Sequence, residues 1–343
     1  MIRVCICGGG SLAHVCAGVL SFQSEVEVNI FTRQPERWSQ HIIVTDHEGK
    51  TYKGNLNVIS NNPQEAMHDC NIIFLCLPGF AIESTLECIK PYIGNAVVGS
   101  IVCSTGFFFT AHRVLGNNAR LFGFQRVPFI ARTTKYGHAA NLLGYKPQVS
   151  IAVENMEDKE EFRKIVESLW LTPTKLLHSH YEASLTNSNP ILHTGRIYSM
   201  WKDWNGELYS HNILFYKEWT VEASKTLIAM DKEFMQLLDV LPVTPGAIPS
   251  LLEYYESHDA ISLTEKIRSI VAFQDIPSPM KEVDGGWIPD FESRYFTEDF
   301  PYGLKIIIDL AKENNIHTPN LNKVFEWGMS KCMTYFSSSQ SSA

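Results

Sequence analysis

Cys5-Ile-Cys-Gly-Gly-Gly-Ser-Leu-Ala-His14 decides the fold. An apolar strand starting at Arg3 runs into three glycines. A helical pattern follows from Ser11 to Phe22, with Ala13, Ala17 and Val19-Leu20 facing inward. Strand, glycine turn and helix in that order open a βαβ unit. Gly8-Gly-Gly10-Ser-Leu-Ala13 fits G-x-G-x-x-A. Gly8 permits the tight turn, Gly10 lets the backbone approach a pyrophosphate, and Ala13 lets helix and strand pack closely. Ser11 and Leu12 fall in the first helical turn, whose free N–H groups face the phosphates. A glycine-rich turn without a ligand is the plainer alternative. Its place between strand and helix favours a dinucleotide.

Outward from this turn, strand and helix signals alternate to about residue 180. Val26 to Phe31 is the second strand, and His41 to Val58 an irregular hairpin turning at His47-Glu-Gly-Lys50. Pro63 to Met67 is a short helix. Asn71-Ile-Ile-Phe-Leu-Cys-Leu77 is an almost unbroken apolar run, as a parallel strand covered on both faces requires. A helix from Ala81 to Ile89 follows, then strands at Ala96–Ser100, Leu121–Gln125 and Gln148–Val153. The pattern predicts a doubly wound parallel α/β domain of Rossmann type over residues 1–183. Beyond Tyr181 strand signals vanish, and helical spacing predicts an all-α domain over 184–336. Its helices are expected at Glu218–Val240, Pro249–His258, Leu263–Ala272, Pro301–Asn314 and Asn320–Tyr335, with prolines in the loops. Residues 337–343, Ser-Ser-Ser-Gln-Ser-Ser-Ala, read as a flexible tail.

Composition narrows the function. A net charge of −8 without a basic run gives no support for nucleic-acid binding. No apolar run nears the ~20 residues that cross a bilayer, and the first residues read as a strand, not a signal peptide. Eight cysteines lack zinc or disulfide-scaffold spacing, so they are expected reduced and the protein cytoplasmic. His178-Ser-His180 has no further ligand at a recognisable spacing, so no metal site is expected. A homodimer is possible, though no seam is visible.

The end of the second strand bears on cofactor choice. An NAD site usually places Asp or Glu there. Here it reads Ile30-Phe31-Thr32-Arg33, with Arg37 one turn on. Arg33 can stack on adenine and pair with a 2′-phosphate, and Thr32 can donate to it. NADP(H) is favoured, while the nearby Glu36 keeps NAD open. Leu77-Pro78-Gly79-Phe80-Ala81 follows the central strand, where Pro78 and Phe80 are placed to meet the middle of the cofactor.

The second half offers proton chemistry. Asn189-Pro190 reads as a helix start, with Asn189 as N-cap and His193 in the first turn. His193 shares a face with Ile197, Met200 and Trp204, so it points into packed protein. Reduction of a C=O or C=N bond needs a group that exchanges protons, and a packed core histidine is the plainer reading. Asp299 precedes the helix near Pro301, where an N-cap is its plain role, and Arg294 alone reads as a surface arginine. Spacing does not bring the three together.

Three segments do so by resemblance. Gly8-Gly-Gly-Ser-Leu-Ala-His14, Asn189-Pro-Ile-Leu-His193 and Ser293-Arg-Tyr-Phe-Thr-Glu-Asp-Phe-Pro-Tyr-Gly303 resemble the opine dehydrogenases. So do Gln125-Arg-Val-Pro-Phe-Ile-Ala-Arg132, Tyr136-Gly137 and Leu143-Gly-Tyr-Lys146. The similarity spans nearly the whole chain, and Ser11-Leu12 departs from the Asn-Gly of close relatives. The resemblance implies a Rossmann domain followed by a helical domain. It also implies reductive condensation of an amino acid with a 2-oxo acid by NADH or NADPH. By the same resemblance His193 is the acid/base, Asp299 its orienting partner and Arg294 a substrate-carboxylate anchor, with Asn189 in the substrate site. A ketopantoate-type reductase of a free 2-oxo acid shares the two-domain plan. A non-catalytic NADP-binding sensor is the third reading.

Overall fold

The computed structural model describes residues 1–339, with side chains as far as residue 332. The chain forms two compact units, and the second begins at Leu185.

The first unit is built on eleven strands: β1 (Ile2–Cys7), β2 (Val26–Phe31), β3 (His41–Asp46), β4 (Thr51–Ser60), β5 (Ile72–Leu75), β6 (Val97–Ser100), β7 (Leu121–Phe124), β8 (Phe129–Lys135), β9 (Ala139–Tyr145), β10 (Val149–Glu154) and β11 (Thr174–Leu176). They form one sheet ordered β11-β10-β7-β6-β5-β1-β2-β4-β3-β9-β8. Its middle, β4-β2-β1-β5-β6-β7, is wholly parallel. That is the doubly wound order, with its switch point beside β1. Side chains alternate across it: Val4 and Ile6 enter one core layer, Cys5 and Cys7 the other. All eight cysteines are free thiols, and only Cys88 is exposed.

The expected hairpin at 41–58 is present as β3 and β4. Asp46 closes its turn by accepting from the N–H groups of Glu48 and Lys50. The sheet is wider than expected, because β8 and β9 add a hairpin beyond β3 and β11 extends the other edge. Helices Phe107–Leu115 and Lys159–Trp170 are also additions to the sequence reading.

The second unit is helical, with its principal helices at Thr194–Trp201, Val221–Leu238, Ala260–Ser269, Lys305–Glu313 and Pro319–Ser339. Thr220 caps Val221–Leu238 by accepting from the Ala223 N–H, and Glu233 accepts from the N–H groups of Asn320 and Leu321 at the start of the last helix. Trp201, Trp219, Phe234, Phe296 and Phe300 are fully buried. Strand signals do not vanish entirely: Met280–Val283 (β12) and Gly286–Pro289 (β13) pair as a small antiparallel hairpin. Its alternation is too short to stand out from the surrounding loops. The last helix extends to Ser339, so residues 337–339 of the expected tail lie in it. Residues 340–343 lie outside the described residues. Among the described residues no helix is long and apolar enough to cross a membrane.

Candidate active site

The glycine turn opens into a cleft of 670 Å³ at the carboxyl ends of β1 and β5. Gly8 has φ +133°, and a Cβ there would stand 2.6 Å from the Cys76 carbonyl oxygen. Only glycine meets both conditions. A Cβ on Gly10 would meet nothing within 4 Å, so the backbone there is open to an approaching group. Gly10 offers the following helix no side-chain cap, and the first intrahelical bond runs from His14 N–H to the Gly10 carbonyl. The N–H groups of Ser11, Leu12 and Ala13 are therefore left as donors at a positive helix end. These features fit a dinucleotide pyrophosphate.

Of the expected cofactor residues, Gly8, Gly10, Thr32, Arg33, Pro78 and Phe80 line the cleft. Phe80 is 60% exposed at its rim. Ser11, Leu12 and Ala13 contribute no lining side chain. The Ser11 hydroxyl bonds the N–H and hydroxyl of Thr133, Leu12 packs on the core and Ala13 is fully buried. Sequence reasoning missed Tyr136, at the tip of the β8–β9 hairpin, which also lines the cleft. Its hydroxyl lies 2.6 Å from where a Gly9 Cβ would be. His14 fixes this arrangement. Its Nδ1 bonds the Gly10 carbonyl at 2.9 Å, and its Nε2 accepts from the Gly137 N–H at 2.7 Å. The ring stacks on Trp38 at 4.3 Å, and burial holds its pKa below the ordinary histidine range. The Arg37 guanidinium lies 4.4 Å over the Tyr136 ring.

The second unit holds His193, Asp299 and Arg294, and its local structure differs from the sequence reading. Asn189 is not an N-cap. The turn Ser188–His193 is flanked by Asn187 and closed by an i+5 bond from Leu192 N–H to the Asn187 carbonyl, 3.2 Å. Pro190 sits inside this π-type turn, and His193 ends it before helix Thr194–Trp201. Asn189 is exposed. A second π-type turn, Phe300–Leu304, follows Asp299 and is closed by Leu304 N–H to the Asp299 carbonyl at 2.8 Å. Asp299 caps nothing with its side chain. Its carboxylate instead meets His193 Nδ1 at 2.8 Å, with the two side chains 16% and 18% exposed. The two turns approach at Gly303, where a Cβ would stand 3.0 Å from Pro190 Cγ. The structure thus joins two residues 106 positions apart that spacing alone does not connect.

A carboxylate only accepts, so Asp299 assigns a proton to His193 Nδ1 and leaves Nε2 free of the carboxylate. Tyr216 Oη lies 3.3 Å from Nε2. Tyr295 packs on the imidazole at 4.8 Å and Phe215 meets it edge-on at 5.7 Å. Tyr295 stands beside Arg294 in a quoted segment, whereas nothing in the sequence marks Tyr216. Burial pushes both phenols up, with Asp299 adding to the effect. Arg294 does not join the pair: its Nε and Nη2 donate to Glu298 at 2.9 and 2.8 Å. Its side chain is 81% exposed, against 12% for Glu298. Among the described residues no cluster suits a metal ion.

Known proteins resemble this chain in sequence and in fold. Residues 176–332 match the family described as NAD/NADP octopine/nopaline dehydrogenase, alpha-helical domain. The octopine dehydrogenase of Mizuhopecten yessoensis is 27% identical over 359 residues, covering 96% of this chain and 90% of that one. The tauropine dehydrogenase of Arabella iricolor is 28% identical over 365 residues, covering 95% and 90%. A solved octopine dehydrogenase with NADH and L-arginine shares the fold, with a TM-score of 0.87 at 24% identity over 96% of this chain and 89% of that one. The helical unit thus matches the octopine/nopaline dehydrogenase family, and nearly the whole chain is similar to octopine and tauropine dehydrogenases.

Proposed function

We propose that this protein is a nicotinamide-dependent oxidoreductase of opine dehydrogenase type, joining the amino group of an amino acid to the C2 carbon of a 2-oxo acid. The reverse reaction oxidises a secondary amine dicarboxylate. The observation that carries the reading is the His193–Asp299 pair at 2.8 Å, set among aromatic rings. Asp299 orients the imidazole and stabilises it when charged. His193 Nε2 takes a proton from the substrate ammonium, and the freed amine attacks the oxo carbon. The same nitrogen returns the proton to the hydroxyl, which leaves as water, giving an iminium ion. A nicotinamide cofactor held at the Gly8–Gly10 turn would supply the hydride for reduction of this carbon. Arg294 anchors a substrate carboxylate once it leaves Glu298, and Asn189 lies in the same substrate site.

The Gly8–Gly10 turn and the first N–H groups of the following helix hold the pyrophosphate. NADP(H) is the preferred cofactor. The cleft lining includes Thr32, Arg33 and Gln34 and, among the described residues, no Asp or Glu. A ribose 2′-phosphate therefore finds a cation and no opposing carboxylate. The substrates are small and soluble, and we place the reaction in the cytoplasm. A homodimer is compatible with this reading.

Oxidation of NADPH and NADH by the purified protein, with 2-oxo acids presented with and without amino acids, tests the reading. Oxidation that requires both partners is the expected result. Oxidation with the oxo acid alone makes the protein a simple oxo-acid reductase, and none under any pairing favours a sensor. His193→Ala should lower turnover by roughly 10²-fold or more with cofactor affinity unchanged. Undiminished turnover would remove His193 from the chemistry.

A further inference from the structure

We propose that Tyr216 is a positioning residue for the reaction, presenting its hydroxyl to His193 Nε2 in both protonation states of the imidazole. The inference rests on the assignment of His193 as the proton-exchanging group. Three observations point to it. The hydroxyl lies 3.3 Å from Nε2, and among the described residues His193 is its only hydrogen-bond partner. The ring cannot swing freely: it stacks on Phe273 at 4.5 Å, meets Phe215 edge-on at 4.9 Å and lies within 7° of the Trp219 plane at 6.2 Å. Tyr216 is also 8% exposed, so water does not readily take the place of its hydroxyl.

The chemistry makes this partner useful. Asp299 can serve only Nδ1, and it accepts in every state of the cycle. Nε2 changes from lone pair to N–H and back in each turnover. A carboxylate there would match only the second state, and an ammonium only the first. A hydroxyl donates to the lone pair and, after rotating its hydrogen, accepts from the N–H. Its phenolic proton must stay on for this, and the buried setting favours the neutral phenol. Between substrate encounters the imidazole is thus held at both nitrogens, in the plane that presents Nε2. The substrate replaces a weak 3.3 Å contact and need not reorient the ring.

Tyr216→Phe tests the idea, because it removes one oxygen and keeps the stacked ring. A hydrogen bond from imidazolium N–H to oxygen is stronger than one from a hydroxyl to neutral nitrogen. Its loss therefore disfavours the imidazolium, and the His193 titration should move down by roughly half to one pH unit. The readout is the ¹⁵N-histidine spectrum, with the His193 signal identified by its disappearance in His193→Ala. The acid limb of kcat/KM should move in the same direction, and kcat should fall about tenfold with the cofactor Kd unchanged. A wild-type titration and pH profile in Tyr216→Phe, with His193→Ala inactive, would overturn this inference alone. A His193→Ala protein that turns over normally would overturn the reading beneath it as well.

Discussion

Glu298 occupies the Nε–Nη2 edge of Arg294, one that would suit a substrate carboxylate. The arrangement is an i,i+4 ion pair whose guanidinium is largely in solvent, and such pairs contribute only about 0.2–1 kcal/mol. A substrate carboxylate offers the same bidentate geometry, so exchange costs little. Arg294→Ala should raise the apparent KM for the oxo acid roughly 10- to 100-fold, the worth of one charge-assisted anchor, with a smaller effect on kcat. Glu298→Gln should lower that KM by releasing the guanidinium. Steady-state kinetics with the oxo acid varied decides the matter, and an unchanged KM in Arg294→Ala would assign carboxylate binding elsewhere. At this scale the sequence is legible where a residue type has a local reason, as at Gly8 and Ala13. Spacing is silent where a partner comes from a distant segment: Tyr216, 23 residues from His193, goes unmarked, and Asp299, 106 away, is paired with it only by resemblance.

The pair of π-type turns explains how such distant residues meet. An i+5 turn is wider than an α-turn and redirects the side chains that follow it, which is why these turns recur at functional sites. Here one ends at His193 and the other begins after Asp299. Their approach depends on Gly303, where an added methyl would press on Pro190 Cγ and Cβ at 3.0 and 3.2 Å. Gly303→Ala should therefore shift one turn by a few tenths of an ångström and lengthen the His193–Asp299 bond. Turnover should fall roughly tenfold, while cofactor affinity, a property of the glycine turn, stays unchanged. Wild-type turnover in this variant would show that the turns yield without disturbing the pair. A second cluster concerns stability. At the end of β10, Glu154 takes His112 Nε2 and His180 Nδ1 at 2.7 Å each. Burial alone would raise its pKa, but the two imidazoles outweigh burial and bring it down to about 2. A depressed carboxyl stabilises the fold above its unfolded value and loses that contribution as pH falls toward 2. Glu154→Gln should thus be less stable than wild type at pH 6, and the gap should narrow between pH 4.5 and 2. Chemical denaturation across that range checks this, and a pH-independent gap would count against it.

For the whole molecule, the first six core strands and the change to helices near residue 184 are legible because they rest on periodicity. The β8–β9 hairpin is not, because Ile130 and Leu143 occupy exposed positions and blur the alternation that marks a half-buried strand. Tyr136, quoted in the sequence only for the resemblance, is therefore not placed at the cleft that it lines. All the described features of the cleft lie in the first unit, so cofactor binding should stabilise that unit by linkage. At a hundredfold excess over Kd the gain is about 2.7 kcal/mol, or roughly 5 to 10 °C in the Tm of a domain this size. At equal concentrations NADPH should raise Tm further than NADH, since only NADPH brings the 2′-phosphate to Arg33. In Arg33→Ala the NADPH shift should shrink toward the NADH shift, which itself stays as in wild type. The comparison needs no turnover and no substrate, so it separates cofactor choice from the chemistry at His193. Equal shifts from both cofactors in the wild-type protein would show that Arg33 does not read the phosphate, and NAD(H) would then stand as the natural partner of this cleft.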